Sequence, residues 1–253
     1  MLKLLHGIYT LWLSLTFFIM TPLMLFCFLM IKLFIPYPKQ IQFVYYVNRF
    51  FFFFWSAING IRYKITGLEN INKDQTYICV LNHTNSGDMV AGAYGCRVNA
   101  KPLIKRELTL IPFLGQMLSI ACIAVDRSSK EARKKSKENM LNDLKQKISV
   151  LIFAEGTRNR TGKPLKDFFD GAFDLAIDAQ VPIIPIVLTN IKKINPKHDW
   201  FFRPTTIEVR HLAPIFPEGK TEECIQKLKA KTFKNMWNCL VEFDDEFKKY
   251  DKL

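Results

Sequence analysis

The chain has 253 residues, with 36 Lys+Arg against 23 Asp+Glu for a formal charge of +13, and 49% of it is hydrophobic. That length allows one large domain or two small ones with a full core, and the apolar content excludes a disordered chain. The charge is laid out unevenly: residues 1–60 hold Lys3, Lys32, Lys39 and Arg49, no acid, and half of the 22 Phe, ahead of a body of ordinary globular composition.

Leu2–Phe34 is almost wholly apolar, interrupted by Lys3, His6, Lys32 and the Thr21-Pro22 step. A membrane crossing needs roughly 20 apolar residues, so one span is allowed. Pro22 equally allows a kink between two shorter helices lying in one leaflet. A signal peptide fits poorly, because the apolar stretch is too long and no A-x-A-like site follows. A second aromatic block holds Phe43, Tyr45, Tyr46, the run Phe50–Phe54 and Trp55, with Arg49 among them. Tyr, Trp and Arg are the types expected at headgroup depth. Residues 1–58 are therefore expected to be membrane-anchoring helices. More Lys/Arg follow the first stretch than precede it, which places the body on the cytoplasmic face of the membrane. A basic body on such an anchor makes anionic membrane lipid an expected partner.

From residue 59 to 253 short β-rich runs alternate with helical patterns. Ile61–Thr66, Tyr77–Leu81, Pro102–Ile104, Ile120–Val125, Val150–Phe153 and Pro182–Leu188 read as strands, mostly apolar on both faces, and Thr206–Arg210 alternates like an edge strand. Ser128–Ile148 reads as a helix with a capping box at Ser128 and Glu131 and an apolar face of Met140, Leu141, Leu144 and Ile148. Its opposite face carries Lys130, Arg133, Lys134, Lys135 and Lys137, a solvated surface or an anionic-lipid contact. Thr221–Tyr250 is the last helical region. Buried strands separated by helices give an α/β class: a single layered domain with a mostly parallel or mixed sheet flanked by helices, preceded by the hydrophobic anchor.

Much chemistry is excluded. There is no G-x-S-x-G, no H-E-x-x-H and no G-x-G-x-x-G after a strand, and Pro214 stands where a P-loop ending at Gly219-Lys220-Thr221 needs glycine. The six cysteines form no C-x-x-C pair, so no metal and no cofactor is expected. The basic residues come without a groove-reading motif, so no nucleic-acid partner is expected. Two constellations remain. His83 and Asp88 follow an apolar strand with Asn85 and Gly87 between them. In one continuous helix they would lie about 140° apart. They meet only if His83 sits in the turn and Asp88 in the first helical turn, where the carboxylate can fix the imidazole tautomer and leave Nε2 as a base. A strand-end His with an unrelated helix-start Asp is the bland alternative. Second, Phe153-Ala154-Glu155-Gly156-Thr157-Arg158 also follows a strand and leads into the basic loop Asn159–Lys163. A Gly-containing strand-end loop with arginines suits a phosphate, although a salt-bridged surface turn has the same composition.

Four ordered blocks over roughly residues 61–190 resemble the lysophospholipid and glycerolphosphate acyltransferases, typified by 1-acyl-sn-glycerol-3-phosphate acyltransferase. Asn82–Asp88 matches H-x-x-x-x-D. Lys105-Arg106-Glu107-Leu108 with Ile111–Gly115 looks like the second block, Phe153–Arg158 matches F-x-E-G-T-R, and Val181–Pro185 looks like V-P-I-x-P. Val125-Asp126-Arg127 resembles a recurring strand-end basic position. The serine of the first block, Ser86, stands one place from where members often have it. The resemblance implies that His83 is the general base and Asp88 its partner. It implies that Lys105, Arg127, Glu155, Gly156, Thr157 and Arg158 serve the acceptor's phosphate, and that Pro182 and Pro185 shape the acyl pocket. It also implies a lysophospholipid acceptor and an acyl-CoA or acyl-carrier-protein donor. Glycerol-3-phosphate, a lyso-ornithine lipid or another lysophospholipid is an alternative acceptor, and a non-enzymatic basic membrane-binding protein is the reading from a different class.

Overall fold

The computed structural model describes residues 2–85, 87–126, 128–196 and 201–250. Its centre is a seven-stranded sheet in the order β1-β7-β6-β2-β5-β3-β4. The strands are β1 (Arg62–Thr66), β2 (Ile78–Leu81), β3 (Ala100–Lys105), β4 (Ile123–Val125), β5 (Ser149–Phe153), β6 (Ile183–Thr189) and β7 (Thr206–His211). β6, β2, β5, β3 and β4 are parallel, and only β6 with β7 is antiparallel, so the sheet is mixed. β2 is buried at every residue between β6 and β5, as its unbroken apolar run requires.

Each face of the sheet has its own core. Ile78, Val80, Val150, Ile183 and Val187 meet α5 (Lys130–Lys145), α6 (Gly171–Ala179) and α7 (Glu222–Phe243). The alternate residues Cys79, Leu81, Leu151, Ile184 and Leu188 meet α3 (Asp88–Gly95) and the start of the chain. A Cβ on Gly92 would lie 2.9 Å from Leu81 and one on Gly95 2.7 Å from Val209, so these glycines let α3 lie flat on the sheet.

α1 (Leu2–Phe34) runs unbroken through Pro22 and returns as α2 (Lys39–Ile58). The Tyr9 hydroxyl donates to the Asn59 carbonyl at 2.6 Å, and the Asn59 amide donates to Thr16 Oγ1 at 3.1 Å. The two helices are therefore an antiparallel hairpin, not a helix split at the proline. One face of α1 is covered over much of its length: Leu13 joins the sheet core, and Met24, Leu25 and Phe28 pack with Val44 of α2, Ile104 of β3, and Met117 and Ile120 of α4 (Leu114–Ala121). Tyr37, in the hairpin tip, donates to Asp143 of α5, which also holds Lys101 at 2.9 Å.

Three local expectations are corrected. Ile120 and Ala121 end α4, and only Ile123–Val125 is strand, because the α4 side chains are needed under α1. α5 is capped by Ser129, whose hydroxyl accepts from Ala132 N at 3.0 Å, which moves the cap one residue along and leaves Glu131 out of a capping box. β7 is interior. Its alternation arises because Ile207 and Val209 face the sheet core while Glu208 and Arg210 pair with each other, with Arg210 over the Phe243 ring of α7. The edge is β1.

Candidate active site

β2, β5, β3 and β6 end on the same side of the sheet, and in open α/β sheets the carboxyl ends of strands host ligands. His83 leaves β2 and stacks on Phe153, the last residue of β5, with ring centroids 4.5 Å apart. Asp88 is the first residue of α3 and is buried. Its Oδ2 accepts from His83 Nδ1 at 2.8 Å, from Thr84 N at 2.5 Å and from Asn85 N at 2.8 Å. A carboxylate can only accept, so Nδ1 carries a proton, and in the neutral imidazole Nε2 is then the nitrogen free to act as a base. The turn exists because the Asn85 side chain accepts from Gly87 N at 3.0 Å, which bends the chain into α3.

The loop after β5 is tied to this turn. Asn159 N donates to the His83 carbonyl at 2.6 Å. Glu155 is placed differently from its expected phosphate-site role: it is fully buried, and its two oxygens accept from His83 N at 2.7 Å and Lys166 N at 2.9 Å. It is a buckle between strand-end loops, a positioning residue for His83. Burial lifts its carboxyl from 4.5 to about 7, outweighing the two N–H bonds, which favour the charge. Between those values the folded protein keeps a proton the unfolded chain has lost, so this group's contribution to stability is full below pH 4.5 and falls as pH rises to about 7. Glu155→Gln, which cannot titrate, is expected to remove that slope, worth roughly 3 kcal/mol at 1.36 kcal/mol per unit. Unfolding midpoints between about pH 5 and 8 check this, and a wild-type slope of the opposite sign contradicts it.

His83 lines a cavity of about 580 Å³. Its lining combines basic and polar side chains, Lys105, Thr157, Arg158 and Arg160, with apolar ones, Met89, Leu103, Leu108 and Ile152. Of the two bases in the second block, Arg106 is paired with Asp126 at 2.5 Å, whereas Lys105 at the end of β3 faces the cavity. Gly156, at φ 69°, makes the left-handed turn that brings Thr157 and Arg158 out of β5. Arg127 lies outside the described residues. Pro182 and Pro185 do not line this cavity. Pro185 sits in β6, and its carbonyl accepts from Leu212 N beyond the end of β7, where the missing N–H interrupts no ladder.

A second cavity, of about 750 Å³, lies on the other side of Arg158 and Arg160 and adds Lys192 and Lys193. Lys192 and Lys193 escape a motif search because they follow β6, about 110 residues from His83. The signal that finds them is the rule that side chains just past parallel strands converge. Asn82 fixes that convergence: its amide donates to the Leu188 carbonyl at 3.0 Å and accepts from Leu188 N at 2.8 Å.

Residues 62–189 match the family model described as Acyltransferase. The chain is 34% identical over 201 residues to an uncharacterized acyltransferase of Schizosaccharomyces pombe, covering 75% of this chain and 69% of that one. It is 33% identical over 202 residues to the 1-acyl-sn-glycerol-3-phosphate acyltransferase of Saccharomyces cerevisiae, covering 77% and 65%. It is 35% identical over 172 residues to 1-acyl-sn-glycerol-3-phosphate acyltransferase alpha of Mus musculus, covering 67% and 60%. The matches thus span between 60% and 69% of these relatives' lengths. The fold is similar to the crystal structure of the 1-acyl-sn-glycerophosphate acyltransferase PlsC from Thermotoga maritima, with a TM-score of 0.73 at 21% identity, over 92% of this chain and 97% of that one. The chain belongs to the acyltransferase family that includes the 1-acyl-sn-glycerol-3-phosphate acyltransferases.

Proposed function

We propose that the protein is a membrane-bound acyltransferase that moves a fatty acyl group from acyl-CoA or acyl-carrier protein to the free hydroxyl of 1-acyl-sn-glycerol-3-phosphate, giving phosphatidic acid. The observation that carries this is the His83–Asp88 pair at 2.8 Å on a cavity lined by both basic and apolar side chains. His83 Nε2 takes the proton of the acceptor hydroxyl. The oxygen attacks the thioester carbon, the C–O bond forms, the C–S bond breaks, and the imidazolium returns its proton to the departing sulfur. Asp88 holds the tautomer before transfer and stabilises the imidazolium after it. Lys105 and Arg158 take the acceptor's phosphate, and the apolar side chains take its acyl chain. The second cavity, with Arg160, Lys192 and Lys193, suits the phosphates of a phosphopantetheine-bearing donor.

The α1–α2 hairpin holds the protein on the membrane as a monotopic anchor. α1 is long and apolar enough to cross a bilayer, but the face made by Leu13, Met24, Leu25 and Phe28 is covered by protein. A spanning helix would need lipid on all sides. Its opposite face exposes Leu11, Leu15, Phe18, Phe26 and Leu29, and α2 exposes Phe43, Phe50, Phe53 and Phe54. Leu108, Leu110, Ile111 and Phe113 are exposed too, and Leu108 lines the His83 cavity, so the acceptor enters from the bilayer. On this reading the basic body stands on the cytoplasmic face, where the leaflet is anionic.

The test is thioester release by the purified chain with lysophosphatidate, lysophosphatidylcholine, a lyso-ornithine lipid and glycerol-3-phosphate in turn. Lysophosphatidate is expected to give the highest kcat/KM, and equal rates across all four acceptors contradict the assignment. Arg158→Gln is expected to raise KM for lysophosphatidate roughly 10–100-fold, the worth of one hydrogen bond to a charged group, with kcat little changed. A fall in kcat at constant KM would remove Arg158 from phosphate binding.

A further inference from the structure

At the end of the sheet opposite His83, a cavity of about 420 Å³ is lined by residues of α2, of the segment leading into β3 and of the start of β5. Four bases from four segments converge on it: Arg49 of α2, Lys73 before β2, Arg97 after α3, and Lys147 in the turn before β5. No Asp or Glu lines it. Among the described residues none of the four is paired with a carboxylate, whereas Lys101, Lys137, Lys192 and Arg210 all are. Arg49 donates instead to the Tyr45 hydroxyl at 3.0 Å, and Arg97 lies over the Tyr94 ring at 5.0 Å. Arg97 Nη1 is buried without a hydrogen-bond partner. A buried guanidinium N–H left unpaired is costly, and four like charges around one cavity repel. An anion with several acceptor oxygens relieves both.

The position of the cavity says where that anion comes from. Tyr46 belongs both to its wall and to the exposed face of α2, next to Phe43 and Phe50. A phosphate held by the four bases therefore has apolar surface immediately beside it, as the headgroup of a lipid does. It is not the reacting acceptor. Ser149 lines this cavity and Phe153 stacks on His83, so the length of β5, about 13 Å, separates the two sites. A glycerolipid with its phosphate here cannot bring the neighbouring hydroxyl to His83.

We propose that this cavity binds the phosphate headgroup of an anionic glycerophospholipid, a membrane-docking site separate from the substrate site. It gives the anchor a lipid preference that its phenylalanines cannot supply, and it fixes the body's orientation on the bilayer through a charged contact at the base of the sheet.

The test compares vesicle binding of the full chain on phosphatidylcholine alone and on phosphatidylcholine with phosphatidylglycerol. Lys73→Gln/Lys147→Gln removes two charges from the rim, and Lys134→Gln/Lys135→Gln removes the same charge from α5. The rim variant is expected to lose about tenfold or more of its binding to the anionic vesicles. It should bind the neutral vesicles like wild type, and the α5 variant should be affected much less. No loss in the rim variant overturns the site, and an equal loss in both variants reduces the effect to net charge and overturns it too. A third arm adds free glycerol phosphate at millimolar concentration. It should leave anionic-vesicle binding intact, and displacement by it would make the ligand a soluble anion and overturn the lipid assignment.

Discussion

His83→Ala is expected to slow acyl transfer by roughly 10³-fold, about 4 kcal/mol of barrier, as befits the loss of a positioned general base. The loss should fall on kcat with little change in KM for either substrate, because neither the acceptor's phosphate nor the donor's phosphates are held by the imidazole. Vesicle binding should be unchanged, since the exposed apolar face of α1 and α2 does not include His83. The side chain is partly exposed and donates only to Asp88, so the variant is expected to fold, which a thermal melt checks. Turnover of the folded variant near the wild-type rate would remove the base from the mechanism.

Asp88→Asn is expected to be comparably damaging, slowing turnover by roughly two to four orders of magnitude and costing about 1–3 kcal/mol of stability. Three N–H groups converge on Oδ2. An asparagine with its carbonyl oxygen in the Oδ2 place keeps all three donors but lacks the negative charge, and its NH₂ then stands where Oδ1 is buried without a partner. Without that charge the imidazolium formed on proton transfer is no longer stabilised, so Nε2 is a poorer base towards the substrate. A structural role alone predicts the stability loss with kcat unchanged in the folded variant, so kcat measured well below its melting temperature separates the two. A folded variant with turnover near wild type contradicts the role of Asp88 as partner of the base.

What is legible in the sequence is local. The five-residue spacing of His83 and Asp88 needs only one turn, and Asn85 and Gly87 announce it. The strand-ending F-x-E-G-T-R block likewise carries its own geometry. Glu155 departs from its expected role because its partners are distant: only the pairing of β2 with β5 brings His83 N to its carboxylate. The same holds for Arg106, whose charge is taken by Asp126 once β4 lies beside β3. Residues 120–125 are ambiguous because an apolar run does not declare its period, and α1 overhead decides for helix up to Ala121. β7 alternates like an edge although it is interior, because its second face is closed by an ion pair and an arginine on an aromatic ring. The anchor's apolar character is plain in the sequence, but its return as a hairpin on the body depends on Thr16, Asn59 and Tyr37, whose partners are in other elements.

In the proposed reaction His83 activates the acceptor hydroxyl for direct attack on the thioester, and no acyl group passes through the protein. The measurement that bears on this most directly is rapid-mixing detection of free thiol from acyl-CoA and enzyme in three conditions: with lysophosphatidate, with its deoxy analogue lacking the free hydroxyl, and with no acceptor. Direct transfer gives thiol release only with lysophosphatidate, equal to the phosphatidic acid formed and slowed roughly 10³-fold by His83→Ala. A burst of thiol stoichiometric with enzyme in the absence of acceptor, or with the deoxy analogue, would contradict it.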